Sequence, residues 1–123
     1  MNLQPTSLTP SAQRKPYFDG ADSRHADFKT TCEKCDAQLT ITFNAILMGA
    51  WGWNKRFTPE EVSIIERFFQ LGKGSLALSG GWPSIVSVTC DRCGTQYIFY
   101  ADFDEYRNSV YRIVAQGLAT VVP

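Results

Sequence analysis

The stretch SIVSVTCDRCGTQYIFYADF, residues 84–103, decides how this chain folds. At its centre, CDRCG at 90–94 sets two cysteines three positions apart with a glycine behind them. On the near side Val86 and Val88 alternate with Ser87 and Thr89, the period-two pattern of a half-buried strand. On the far side TQYIFYADF is strongly β-prone, being rich in aromatic residues. A strand, a tight cysteine turn and a second strand make a hairpin.

The same plan occurs earlier, in DFKTTCEKCDAQLTITF at 27–43. There Leu39, Ile41 and Phe43 alternate with Thr40 and Thr42, which again reads as a strand. All four cysteines of the chain fall into these two pairs, Cys32 with Cys35 and Cys90 with Cys93. Tetrahedral zinc takes four such ligands, with sulfur at about 2.3 Å. A C-x-x-C turn offers two thiolates to one ion while its backbone amides face the sulfurs. Two turns on adjacent hairpins fill the shell, which points to a structural ion and leaves no coordination position for chemistry. The expected cofactor is therefore Zn²⁺ on Cys32, Cys35, Cys90 and Cys93. Three other readings rank behind it. Iron bound as in rubredoxin uses similar turns in a much shorter chain. A redox pair would begin a helix of a βαβ unit, which neither pair does. A disulfide framework belongs to secreted chains.

The two turns resemble the zinc knuckles of zinc-ribbon proteins, small antiparallel sheets built on C-x-x-C-G. The second turn matches, whereas Asp36 stands where the first would carry glycine. The resemblance covers about residues 27–45 and 84–104. The gap of 54 residues between Cys35 and Cys90 makes 46–83 an insertion. A ribbon implies a metal and a sheet, not a particular function.

Within the insertion, TPEEVSIIERFFQLGKG at 58–74 predicts a helix. Thr58 suits the N-cap, Pro59 the first turn, and Glu61 completes a capping box. Val62, Ile65, Phe68 and Phe69 form an apolar stripe, and Gly72, Lys73 and Gly74 read as the stop. DEYRNS at 104–109 reads as a turn, and SVYRIVAQGLATVV at 109–122 as a strand bulged at Gly117. Residues 1–25 are polar and aperiodic and predict a flexible or surface-hugging arm, with Tyr17 and Phe18 as its possible anchors. The expected architecture is a single α+β domain at 26–123, with a small antiparallel β-sheet, two zinc knuckles and one inserted α-helix.

Composition narrows the function. Twelve basic and twelve acidic residues cancel, so the chain lacks the bulk attraction for nucleic acid or anionic lipid. No apolar run approaches the roughly 20 residues of a membrane span. The first twenty residues lack the apolar core of a secretory signal, so the expected compartment is the cytoplasm. Tyr97, Phe99, Tyr100 and Phe103 lead into Asp102, Asp104 and Glu105, which suits a core strand better than a base-stacking platform. Lys34 and Arg92 are the only basic residues at the turn tips. His25, the single histidine, lies in the arm as an exposed residue. Glu60, Glu61 and Glu66 read as capping and a solvated helix face. No phosphate loop, H-E-x-x-H or paired nucleophile is present, so the expectation is a non-enzymatic protein. Trp51, Trp53 and Trp82 sit among glycines at the ends of the insertion, and such residues anchor protein interfaces. The expected role is binding to another protein, as in a bacterial immunity or adaptor protein. The alternative is a zinc-ribbon factor associated with nucleic acid in transcription or translation.

Overall fold

A computed structural model describes residues 1–71 and 77–123. Among these residues it is a mixed α/β fold of two helices and antiparallel sheets, mostly strands. The strands are β1 (Asn2–Pro5), β2 (Phe18–Gly20), β3 (Phe28–Thr31), β4 (Gln38–Ile41), β5 (Trp82–Thr89), β6 (Gln96–Arg107) and β7 (Val110–Val122). The helices are α1 (Phe43–Gly49) and α2 (Pro59–Phe69). One sheet runs β1-β7-β6-β5, with β2 also on β7, and β3 with β4 forms a second. The two cysteine hairpins therefore belong to different sheets, not to the one sheet expected.

The larger sheet is covered on both faces, which is why its central strand reads as a nearly unbroken apolar run. Tyr97, Phe99, Ala101 and Phe103 of β6 face the β3–β4 hairpin and α1. Ile98 and Tyr100 face the opposite side, where Ile65 and Phe69 of α2 meet Trp53 and Leu3. In β7 the pairing passes from Ala101↔Ala115 to Tyr100↔Gly117, leaving Gln116 as the extra residue. The bulge thus falls one position before the expected Gly117. It resets the alternation, so Ala115 and Leu118 share one core although three positions apart. Gly117 has a separate role. A Cβ there would lie 2.7 Å from the Phe69 ring, so only glycine lets α2 settle on the sheet.

Helix α2 begins as expected, with Thr58 and Glu61 forming the reciprocal capping box and Pro59 in the first turn. It stops at Phe69, where Gln70 takes a left-handed φ of 58°. The stop expected at Gly72, Lys73 and Gly74 lies outside the described residues. Helix α1 shortens the strand expected through Phe43. The Thr42 hydroxyl accepts from the Ala45 amide at 3.1 Å, and Asp27 accepts from the Phe43 amide at 2.7 Å. Gly49 then brings the helix against β5, where a Cβ would lie 2.8 Å from the Ile85 carbonyl oxygen. Ser84 secures the approach by donating to the Ile46 carbonyl at 2.6 Å. β6 runs through most of DEYRNS, and the turn contracts to Asn108 and Ser109.

Of the two readings of the opening segment, flexible or surface-hugging, the structure shows the second. β1 pairs with residues 119–122 of β7 and β2 with residues 111–113, both on its outer edge. Between them the Leu118 amide donates to the Leu8 carbonyl at 3.1 Å, and Arg14 donates to the carbonyls of Ala115 and Gln116. The Tyr17 hydroxyl donates to the Ala26 carbonyl at 2.7 Å. The opening segment thus satisfies an edge that would otherwise expose a row of unpaired backbone groups. Its strands are only four and three residues long, too short for a visible period.

Two changes test this covering. Leu3→Ala should cost about 2 kcal/mol, and deletion of residues 1–20 should cost more. Urea denaturation of the otherwise intact chain measures both.

Candidate metal centre

The two cysteine hairpins are copies of one another in backbone detail. Adding 58 to each residue number maps one onto the other, so Thr30↔Leu39 corresponds to Val88↔Tyr97 and Phe28↔Ile41 to Val86↔Phe99. In the first turn the Cys32 amide donates to Ala37 at 2.8 Å and the Asp36 amide donates to Cys32 at 2.9 Å. In the second the Cys90 amide donates to Thr95 at 2.9 Å and the Gly94 amide donates to Cys90 at 2.8 Å. The residue after the second cysteine is left-handed in both, Asp36 with φ 63° and Gly94 with φ 76°. Asp36 thus does the work of the glycine it replaces, since aspartate is among the few residues that enter this region readily.

These turns bring together all four cysteines, their sulfurs within 4.8 Å of one another. The Cys32–Cys93 sulfur distance is 3.7 Å and the Cys35–Cys90 distance 3.6 Å. A disulfide requires about 2.05 Å. Four sulfurs placed tetrahedrally about 2.3 Å from one ion would lie about 3.8 Å apart. The cluster is therefore positioned to hold a metal ion. Cys32 and Cys90 are buried, Cys35 is half-buried and Cys93 is exposed. A recess of about 410 Å³ lies beside Cys93, between Lys34 and the end of β7.

The surroundings favour thiolate at some positions and resist it at others. Burial opposes charge at Cys32, but hydrogen bonds from Tyr97 and from the Lys34 and Cys35 amides bring its thiol down to about 6. The Thr95 hydroxyl and amide lower Cys93. At Cys35 the Ala37 amide favours the thiolate, yet burial and the other sulfurs push it up to about 12. Tyr97 was read from sequence only as core. Its hydroxyl lies 3.1 Å from the Cys32 sulfur and accepts from the Glu33 amide at 3.0 Å. Burial and the Cys32 sulfur push the Tyr97 hydroxyl up to about 12, so it keeps the proton it gives to sulfur.

The remaining candidates separate. Trp51 and Trp82 are 74% and 69% exposed, whereas Trp53 is 3% exposed. Trp53 is thus corrected from interface candidate to core residue, set edge-on to Phe57 at 6.0 Å. Gly52, with φ 66°, lies between Trp51 and Trp53 and reverses which way the chain faces. His25 is exposed, 3.6 Å from Asp22, and outside the sulfur cluster. Lys34 and Arg92 are exposed in the turns. Asp102, read as one of three acids following the aromatic run, is buried. It accepts from the Ser79 amide and hydroxyl, Gln116 and Tyr100. Apart from Tyr100, two residues away on the same strand, its donors Ser79 and Gln116 come from a loop and a bulge 23 and 14 residues distant, which the local pattern does not reveal.

Compared with known proteins, the chain matches no family model, and no curated protein or solved structure is significantly similar to it. No described helix is long and apolar enough to cross a membrane. Function has to be argued from the site itself.

Asp36 and Gly94 give opposite expectations. Asp36→Gly should leave stability unchanged or raise it by up to about 1 kcal/mol, because it removes a left-handed non-glycine residue. Gly94→Val should lose more than about 1 kcal/mol, although no heavy atom lies within 4 Å of the position a Cβ would take there. Chemical denaturation of the two variants beside the wild type reads both signs.

Proposed function

We propose that Cys32, Cys35, Cys90 and Cys93 hold a structural Zn²⁺, and that the protein is a non-enzymatic module that binds another protein through Trp51 and Trp82. The spacing of the four sulfurs supports the metal, and four thiolates leave zinc no open position for catalysis. On this reading the two turns are zinc knuckles. When bound, the ion closes the long loop between Cys35 and Cys90 and so removes conformational freedom from the unfolded chain. It also fastens the β3–β4 pair, which as an isolated two-stranded hairpin would be marginal in water.

The observation that carries the binding role is the exposure of two tryptophans on fixed backbone. Gly52 sets the chain direction just after Trp51. Gly81 takes φ 77°, and a Cβ there would run into the Phe103 carbonyl oxygen, so the backbone beside Trp82 is held tightly against β6. Large aromatic surfaces in such settings lose little freedom on binding and are favoured interface anchors. An adaptor or immunity role falls within this reading.

The metal has a direct test. Elemental analysis should return about one zinc per chain, and chelation or Cys90→Ser should cost several kcal/mol. Amide exchange should rise first in residues 28–41, while the β6–β7 ladder stays protected. Well under one equivalent of metal in a compact chain rejects the proposal.

The tryptophans have a different test. Trp51→Ala with Trp82→Ala should change stability by no more than about 0.5 kcal/mol each and weaken partner capture at least about tenfold. Trp53→Ala should instead cost about 3–5 kcal/mol of folding stability. Undiminished capture by the double variant, or retention on heparin near physiological salt, would count against this surface.

A further inference from the structure

We propose that the slot between β4 and β5 binds an extended peptide segment of a partner protein, which enters as an added strand. This surface is separate from the tryptophans and is tested separately.

The slot measures about 310 Å³, and its walls are residues 38–42 on one side and 86–89 on the other. Successive residues of a strand point to opposite faces, so a recess on a sheet face would be lined by every second residue. Unbroken runs mean that the two strands present their edges. β4 pairs only with β3 and β5 only with β6, so both edges are free.

The phase of the ladders says which groups point into the slot. Cys32 bonds inward to Ala37 and Cys90 inward to Thr95. By the alternation of antiparallel pairing, Phe28, Thr30, Val86 and Val88 also bond within their hairpins. Gln38, Thr40, Ser87 and Thr89 therefore turn their N–H and C=O groups outward. The Ile85 carbonyl, in phase with Ser87, confirms the direction, since it faces Gly49 of α1. Among the described residues these four pairs of backbone groups meet no protein partner.

Proteins usually blunt free edges with lysine, proline or a covering segment. The opposite edge of the large sheet follows that rule, being covered by residues 1–20. Residues 38–42 and 86–89 contain no charged residue and no proline. Two edges left open, facing one recess, fit strand addition by a partner.

The occupant is a free segment rather than a second folded copy. A strand still held in its own sheet has one edge to offer and meets one wall, whereas a free extended segment meets both. Four residues at about 3.3 Å each span about 13 Å, the length of β4. A neighbouring recess of about 250 Å³, lined by Met48 and Phe57, shares Val86 and Ser87 with the slot and receives alternate side chains of the guest. Asp91 at the far end disfavours an acidic residue there.

The test uses the full chain, purified with its metal, and a phage-displayed library of random linear octapeptides. Enriched peptides should carry alternating β-branched residues. Their binding should slow amide exchange at Gln38, Thr40, Ser87 and Thr89 at least about tenfold. Ser87→Pro removes one outward donor without breaking the β5–β6 ladder, and should weaken binding at least about tenfold at an unchanged melting temperature. Thr40→Lys, on the other wall, does the same if the proline variant folds poorly. Three results overturn the proposal: no enrichment, equal binding by both variants, or protection of these amides by rising protein concentration alone, which would mark a second copy.

Discussion

Four thiols are gathered where their sulfurs all lie within 4.8 Å of one another. Hydrogen bonding from turn amides, from the Tyr97 hydroxyl of β6 and from the Thr95 hydroxyl favours thiolate at Cys32 and Cys93. It fails at Cys35, where burial and the neighbouring sulfurs outweigh the Ala37 amide. Local hydrogen bonding therefore favours thiolate at some of the sulfurs and not at others, in a cluster positioned to hold a metal ion. The consequence reaches beyond the cluster. The β3–β4 hairpin also rests on the large sheet through Leu39 and Ile41, buried in one core with Tyr97 and Phe99. Phe28 stacks on Phe99 at 5.2 Å, and Tyr97 reaches both the Cys32 sulfur and the Glu33 amide. The sulfur cluster joins the tips of the two hairpins, and the aromatic contacts hold their arms.

The large sheet shows how unevenly its edges are treated. β7 is long and two-sided, and the opening segment runs along its outer edge with short strands, carbonyl contacts and the Arg14 guanidinium. At the bulge the covering becomes a side-chain matter. Gln116 accepts from the Ser11 amide at 2.8 Å and donates to Asp102 at 3.0 Å. Asp102 in turn holds Ser79, while Tyr100 accepts from the Leu78 amide at 2.9 Å. Burial and the adjacent carboxylate hold the Tyr100 hydroxyl protonated, so it remains a donor to Asp102. A buried carboxylate is tolerated here because the Ser79 amide and hydroxyl, the Gln116 side-chain amide and the Tyr100 hydroxyl all donate to it.

Much of this was legible wherever the signal was local. The two cysteine turns and the cap of α2 follow from spacings of three or four residues and form where they were read, but the division of the hairpins between two sheets is not a local signal. The opening segment was not legible, because edge strands of three or four residues made from Asn, Gln, Pro and Asp leave no period. Helix α1 is only seven residues long, and its start at Thr42 depends on Asp27 and on packing at Gly49. Trp51 and Trp53 look alike in sequence, and the left-handed turn at Gly52 separates them. Asp36 was readable only in part. It departs from the glycine pattern by residue type and keeps it by conformation.

The slot between β4 and β5 depends on the same constraints. Its walls are one arm from each cysteine hairpin, so the sulfur cluster fixes their separation at one end, next to Asp91. At the other end α1 fixes it, because Thr42 caps the helix directly after β4 and Gly49 seats it on β5. A recess held at both ends keeps its width, and a guest strand need not spend binding energy in shaping it. Edges this well ordered would be a hazard if they lay open on a flat surface. Facing each other, they exclude strands that arrive as part of a sheet and admit a single extended chain. Disruption of the sulfur cluster therefore disturbs the slot as well, since one wall belongs to the hairpin that the cluster secures.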